Sequence, residues 1–125
     1  MRWPIPTLAA LVALSGCGGD DKPARTVTVP GDQAIRIEGD EYAFDPERVI
    51  VTGAPPQLRV TLDNVGSLAH NLRVLDGDRD LGGLRSFPSG EKRETSVRLP
   101  PGKYRLVCTM GDHEELGMKG ELEVR

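Results

Sequence analysis

The chain has 125 residues, enough for one small domain with extras. Its 16 basic and 19 acidic residues leave a formal net charge of -3, which argues against nucleic acid as a partner, because that partner needs a basic face. Fifteen glycines and ten prolines mark many turns, and the few aromatics (Trp3, Tyr42, Phe44, Phe87, Tyr104) leave Val, Leu and Ile to fill the core of an all-β domain.

Met1-Arg2-Trp3 gives a basic start, and Ile5 to Leu14 is an apolar run too short to span a bilayer as a mature anchor. The run ends in Leu14-Ser15-Gly16-Cys17, which resembles the lipobox of bacterial lipoproteins. That resemblance implies a signal peptide over 1–16, lipid on Cys17, and export to the periplasm or the outer face of the cell membrane. An ordinary secretory signal cleaved nearby is the plainer alternative, and it also means export. Residues 17–32, with Gly18-Gly19-Asp20-Asp21-Lys22-Pro23 in front, read as a flexible tether. Within it Thr26 to Val29 alternates and could add a short strand.

From Gln33 to Arg125 short alternating runs follow one another between turn residues, the pattern of a β-sandwich or barrel. Strands are expected over Ala34–Glu38, Arg48–Thr52, Leu58–Leu62, His70–Val74, Arg93–Leu99 and Tyr104–Cys108, with a last one carrying Leu122 and Val124 inward. Tyr42 and Phe44 share one face before Asp45-Pro46 breaks the run. The stretch Asp76 to Gly90 is polar and irregular, and is expected to hold a partial strand or a single helical turn near Leu81 to Phe87. No long helix and no internal repeat is visible.

Two side chains on these strands carry chemistry. His70 shares a face with Leu72 and Val74, and Cys108 shares one with Tyr104 and Leu106, so both point inward at a strand end. After Cys108 come His113 and then Met118, with four residues between each successive pair. Thiolate, two imidazoles and a thioether make a soft mixed donor set suited to copper that cycles between Cu(I) and Cu(II). Singly, each has an ordinary reading: His70 a strand-end histidine, His113 a loop histidine, Cys108 a small buried hydrophobe, Met118 core filler. Their joint spacing favours a metal. If Cys17 is lipidated, Cys108 is left as an odd thiol in an exported protein, an oxidation liability that ligation would explain; a Cys17–Cys108 disulfide is the alternative.

The domain resembles the cupredoxins, close to their plastocyanin-like bacterial members, through Tyr42-Ala43-Phe44-Asp45-Pro46, the His70-Asn71-Leu72 triplet after Gly66, and the loop from Tyr104 to Gly120 that ends in Gly117-Met118-Lys119-Gly120. The resemblance implies a Greek-key β-sandwich of about seven to eight strands over 33–125. It also implies one mononuclear type 1 copper with His70, Cys108 and His113 equatorial and Met118 axial. Asn71 and Thr109 then match positions whose hydrogen bonds pin the His70 and Cys108 segments together. Met110 stands where relatives often have proline before the glycine, and is a surface contact or a competing soft ligand.

The function expected is one-electron transfer rather than catalysis. One mononuclear site uses both histidines, and Val107 and Thr109 flank Cys108 where multicopper oxidases and nitrite reductases place histidine. The expected partner is a redox protein such as a cytochrome or an oxidase, with no nucleic acid, and the chain is expected to be a monomer held to the membrane through Cys17. Two other readings stay open: an extracytoplasmic copper-binding or delivery protein, and a metal-free β-sandwich lipoprotein with a structural or adhesive role. Asp112, Glu114 and Glu115 flank His113, either as a solvated acidic loop or as a means of steering a basic partner.

Overall fold

Side chains that alternate with period two can bury one face of a strand, and two such sheets stacked face to face bury both. The computed structural model describes residues 24–125, which form ten strands and no α-helix. The signal peptide expected over 1–16, Cys17 with its expected lipid and the first part of the expected tether lie outside the described residues. In chain order the strands are β1 Thr26–Pro30, β2 Ile35–Asp40, β3 Ala43–Asp45, β4 Arg48–Thr52, β5 Leu58–Asn64, β6 His70–Asp76, β7 Arg79–Phe87, β8 Lys92–Val97, β9 Gly102–Val107 and β10 Lys119–Val124. One sheet has the order β1-β4-β10-β9-β6-β7 and the other β3-β2-β5-β8. The pairs β1/β4, β4/β10 and β2/β5 are parallel, and the remaining pairs antiparallel.

The core lies between the sheets. Ile35 and Ile37 of β2 and Leu58, Val60 and Leu62 of β5 face Val49 and Val51 of β4, Leu72 and Val74 of β6, Leu106 of β9 and Leu122 and Val124 of β10, all buried. Burial at this level stabilises by about 1.5–3 kcal/mol for each Val, Leu or Ile side chain.

The all-β sandwich expected from the sequence is present, with ten strands among the described residues where about seven to eight were expected. Two of the additions are short. β1 pairs in register with β4 from Thr26↔Arg48 to Pro30↔Thr52, so the sheet takes in residues upstream of Gln33. Pro30 is tolerated because β1 is an edge strand. The stretch Leu81 to Phe87 is no helical turn. It belongs to β7, nine residues long and paired antiparallel with β6. Register shifts between His70 and Leu72 and between Val74 and Leu75 break the alternation, and Gly82 and Gly83 supply no side chains to show it. β5 also departs from one-face burial: Thr61 is buried with its hydroxyl donating to Glu94 Oε2 at 3.1 Å, and Asn64 is buried completely.

Strand direction gathers the candidate ligands. β10, β9 and β6 are neighbours in one sheet, and β9 runs antiparallel to the other two. Cys108 follows the end of β9, His70 begins β6, and Met118 immediately precedes β10. All three therefore sit at the same end of three adjacent strands. The chain enters the sandwich at that end too. Thr26 is level with Arg48, Arg48 is level with Glu121, and Ala24 shares a groove with Glu114 and Lys119. Arg25 is fixed there by its Nε to Asp45 Oδ1 at 2.8 Å and by its carbonyl, which accepts from Arg48 N at 3.1 Å.

Candidate metal centre

The loop between β9 and β10 is wound by its own backbone. His113 N donates to Met110 O at 2.9 Å, Leu116 N to Asp112 O at 3.0 Å and Gly117 N to Glu114 O at 3.0 Å. Gly117 has φ 116°, a left-handed conformation that side chains rarely adopt, and it turns the chain back toward β9. There Cys108 N donates to Met118 O at 3.1 Å and Met118 N donates to His113 O at 2.9 Å. The three segments are thus stitched to one another before any side chain is considered. Arg105 of β9 braces the outside through Glu114 at 2.8 Å.

The side chains converge. The ligand atoms of His70, Cys108 and His113 all lie within 4.8 Å of one another. Cys108 Sγ is 3.5 Å from His113 Nδ1 and 3.9 Å from His70 Nδ1, and the two Nδ1 atoms are 3.3 Å apart. Among the described residues Cys108 is a free cysteine, and Cys108, His70 and Met118 are buried. His113 is only partly buried, and the Tyr42 ring lies tilted against it with centroids 5.0 Å apart. One thiol sulfur and two imidazole nitrogens aimed at a common point, with a thioether on the same loop, form a donor set that fits one type 1 copper.

Asn71 and Thr109 meet. Asn71 Nδ2 donates to Thr109 Oγ1 and Thr109 N donates to Asn71 Oδ1, both at 2.8 Å, tying the residue after His70 to the residue after Cys108. Met110 packs partly buried against the core, and its carbonyl serves the loop turn.

Two residues escaped the sequence reading. Asn64, at the end of β5, donates from Nδ2 to Leu68 O at 2.9 Å and to Phe87 O at 3.1 Å, and its Oδ1 accepts from Gly66 N at 3.1 Å, so it shapes the loop that delivers His70. Glu41 reaches the same loop from the other side. Its Oε1 accepts from Ser67 N at 2.8 Å and Leu68 N at 2.7 Å, and lies 3.0 Å from His70 Nε2. The Ser67 and Leu68 N–H groups, in that order, hold its carboxyl down at about 2. Glu41 carries no local signal beyond preceding Tyr42, because its partners lie more than 25 residues downstream.

The geometry defines a class: an all-β, two-sheet sandwich with a soft donor cluster at one pole. No protein-family model and no curated protein sequence matches the chain. Solved structures do. Reduced auracyanin of Roseiflexus castenholzii is 21% identical, covering 74% of this chain and 96% of its own, with a TM-score of 0.65. An azurin of Methylomonas sp. strain J is 13% identical over 74% of this chain and 97% of its own, with a TM-score of 0.66. Rusticyanin of Thiobacillus ferrooxidans is 17% identical over 80% of this chain and 82% of its own, with a TM-score of 0.61. All three are cupredoxins, and this chain has the cupredoxin fold.

Proposed function

We propose that the chain is a one-electron carrier in which His70, Cys108, His113 and Met118 would together hold a single type 1 copper. The convergence of the first three ligand atoms to within 4.8 Å carries this reading. The donor set is acceptable to both Cu(II) and Cu(I), and copper bound there would supply one-electron exchange. The protein supplies the rest. The backbone bonds between Cys108, His113 and Met118 hold the loop in one shape, and burial of Cys108 and His70 keeps water from the thiolate. Of the four ligands His113 alone is not buried, so its ring edge is the exit for the electron.

The apolar run before Leu14-Ser15-Gly16-Cys17 supports export with cleavage after residue 16 and lipid on Cys17, and the tether that would follow ends before β1 at Thr26, not at residue 32. On that reading the protein works as a monomer in the periplasm or on the outer face of the cell membrane, and its partner is a redox protein such as a cytochrome or an oxidase. Around His113 the charge is less than the sequence suggests, because Glu114 is engaged by Arg105. Asp112 and Glu115 remain exposed, and they are the charges available to steer a basic partner.

The deciding experiment adds one equivalent of Cu(II) to the full-length protein in detergent, with Cys108→Ser as control. An intense thiolate charge-transfer band with narrow copper hyperfine splitting, absent from the variant, is expected. A pale spectrum indifferent to the substitution would sink the carrier reading in favour of a metal-free lipoprotein. Ready loss of the copper to a mild chelator would instead mark a delivery protein.

A further inference from the structure

A carboxylate can only accept hydrogen bonds, so the 3.0 Å contact between Glu41 Oε1 and His70 Nε2 places the ring hydrogen on Nε2. The lone pair then sits on Nδ1, the atom facing Cys108 Sγ and His113 Nδ1. Glu41 cannot swing away easily. Ser67 N–H bonds both of its oxygens, at 2.8 and 3.0 Å, and Leu68 N–H bonds Oε1 at 2.7 Å. The neighbouring loop makes room for it, since a Cβ at Gly66 would come within 2.5 Å of Oε1. The carboxylate is thus built in, with its negative charge one imidazole ring away from the proposed metal.

We propose that Glu41 is the positioning residue of this site: it locks His70 as the Nε2–H tautomer with Nδ1 toward the ligand cluster, and its charge biases bound copper toward Cu(II). The first half concerns the protein without metal, and the second rests on the copper reading. Carboxylate partners of metal-bound imidazoles fix ring orientation and raise ligand basicity, and losing them changes affinity by about 10–100-fold. A higher-charged ion gains more from a nearby anion than a lower-charged one, so the effect favours Cu(II).

Two variants separate orientation from charge. In Glu41→Gln the amide oxygen can take the place of Oε1 and still accept from His70, Ser67 and Leu68, while the charge is gone. Glu41→Ala removes the acceptor as well. Nitrogen NMR of the metal-free full-length protein in detergent reads the tautomer directly. The wild type and Glu41→Gln are expected to show His70 with hydrogen on Nε2 alone, and Glu41→Ala a mixture. Hydrogen on Nδ1 in the wild type, or an Ala variant identical to it, overturns the positioning role. With copper bound, Glu41→Gln is expected to lower the ratio of Cu(II) to Cu(I) affinity about tenfold, which is a rise in potential of about 59 mV for a one-electron couple. A ratio within about twofold of wild type, with the charge-transfer band intact, overturns the charge bias. A wild type without that band overturns the copper reading and the redox half with it, and the tautomer measurement still decides the first half.

Discussion

Asn71 and Thr109 exchange two 2.8 Å hydrogen bonds across the gap between the segments that carry His70 and Cys108. Asn71→Ala leaves the Thr109 N–H without that acceptor, which costs about 1–3 kcal/mol where water cannot replace it. The same change frees His70 relative to Cys108 and is expected to weaken copper binding about 10–100-fold; denaturant unfolding and a chelator competition would check the two effects separately. Asn71→Asp keeps the acceptor for Thr109 N but cannot donate to its hydroxyl, so it should fall between the two. At this scale the grouping of His70, Cys108 and His113 was legible because Cys108 and His113 are close in sequence and His70 opens a strand whose following residues, Leu72 and Val74, are apolar. Glu41 and Asn64 were not. Their bonds run to backbone groups of a distant or irregular loop, and backbone donors and acceptors have no residue type to read.

The β6–β7 hairpin is the element whose integrity the site depends on, since His70 opens β6. Gly83 lies in β7 with φ 139°, and a Cβ there would overlap the Leu72 carbonyl oxygen. Gly83→Ala is therefore expected to cost several kcal/mol, on the order of 2–4, through strain and loss of ladder bonds; a midpoint within experimental error of wild type in urea unfolding would contradict it. The hairpin is also held by Arg73, whose Nε and Nη2 both donate to Asp80, at 2.9 and 3.0 Å. That contact, with the Gly82 N–H adding to it, pulls the Asp80 carboxyl below its ordinary 3.8. A carboxyl held lower in the fold than in the open chain stabilises the fold at pH values above its ordinary pKa. The contribution disappears as the pH falls from there through the lowered value. Asp80→Asn should thus lose stability at neutral pH, by under about 1 kcal/mol for so exposed a pair, and approach the wild type in strong acid. β7 was left open in the sequence between a partial strand and a helical turn, because two register shifts and two adjacent glycines blur its alternation, whereas β4 kept strict alternation and was found to the residue.

For the molecule as a whole, a ligand that joins β6 to the β9–β10 loop acts as a clip between segments far apart in sequence. Copper at a thousandfold excess over its Kd stabilises the folded state by about 4 kcal/mol, which for a domain of this size raises Tm by roughly 15–30 °C. Paired melts with and without Cu(II) should show that gap in the wild type and none in Cys108→Ser. Association with a basic partner should slow as salt rises if Asp112 and Glu115 steer it, and rates indifferent to ionic strength would remove that role. The sandwich itself was readable from alternation alone, while strand order and the parallel β1/β4 edge were not, because pairing partners leave no mark within a single strand. If Cys17 carries a lipid, that edge decides which way the protein hangs. The polypeptide comes into the fold beside the ligand loop, at Ala24, and only the six residues Gly18 to Pro23 would separate it from a lipid on Cys17. The seven residue-to-residue steps from Cys17 to Ala24 reach at most about 25 Å even when fully drawn out. A lipid-held copy would therefore be suspended with its copper pole downward, and the partner it meets most readily is one embedded in the same bilayer rather than one diffusing above it.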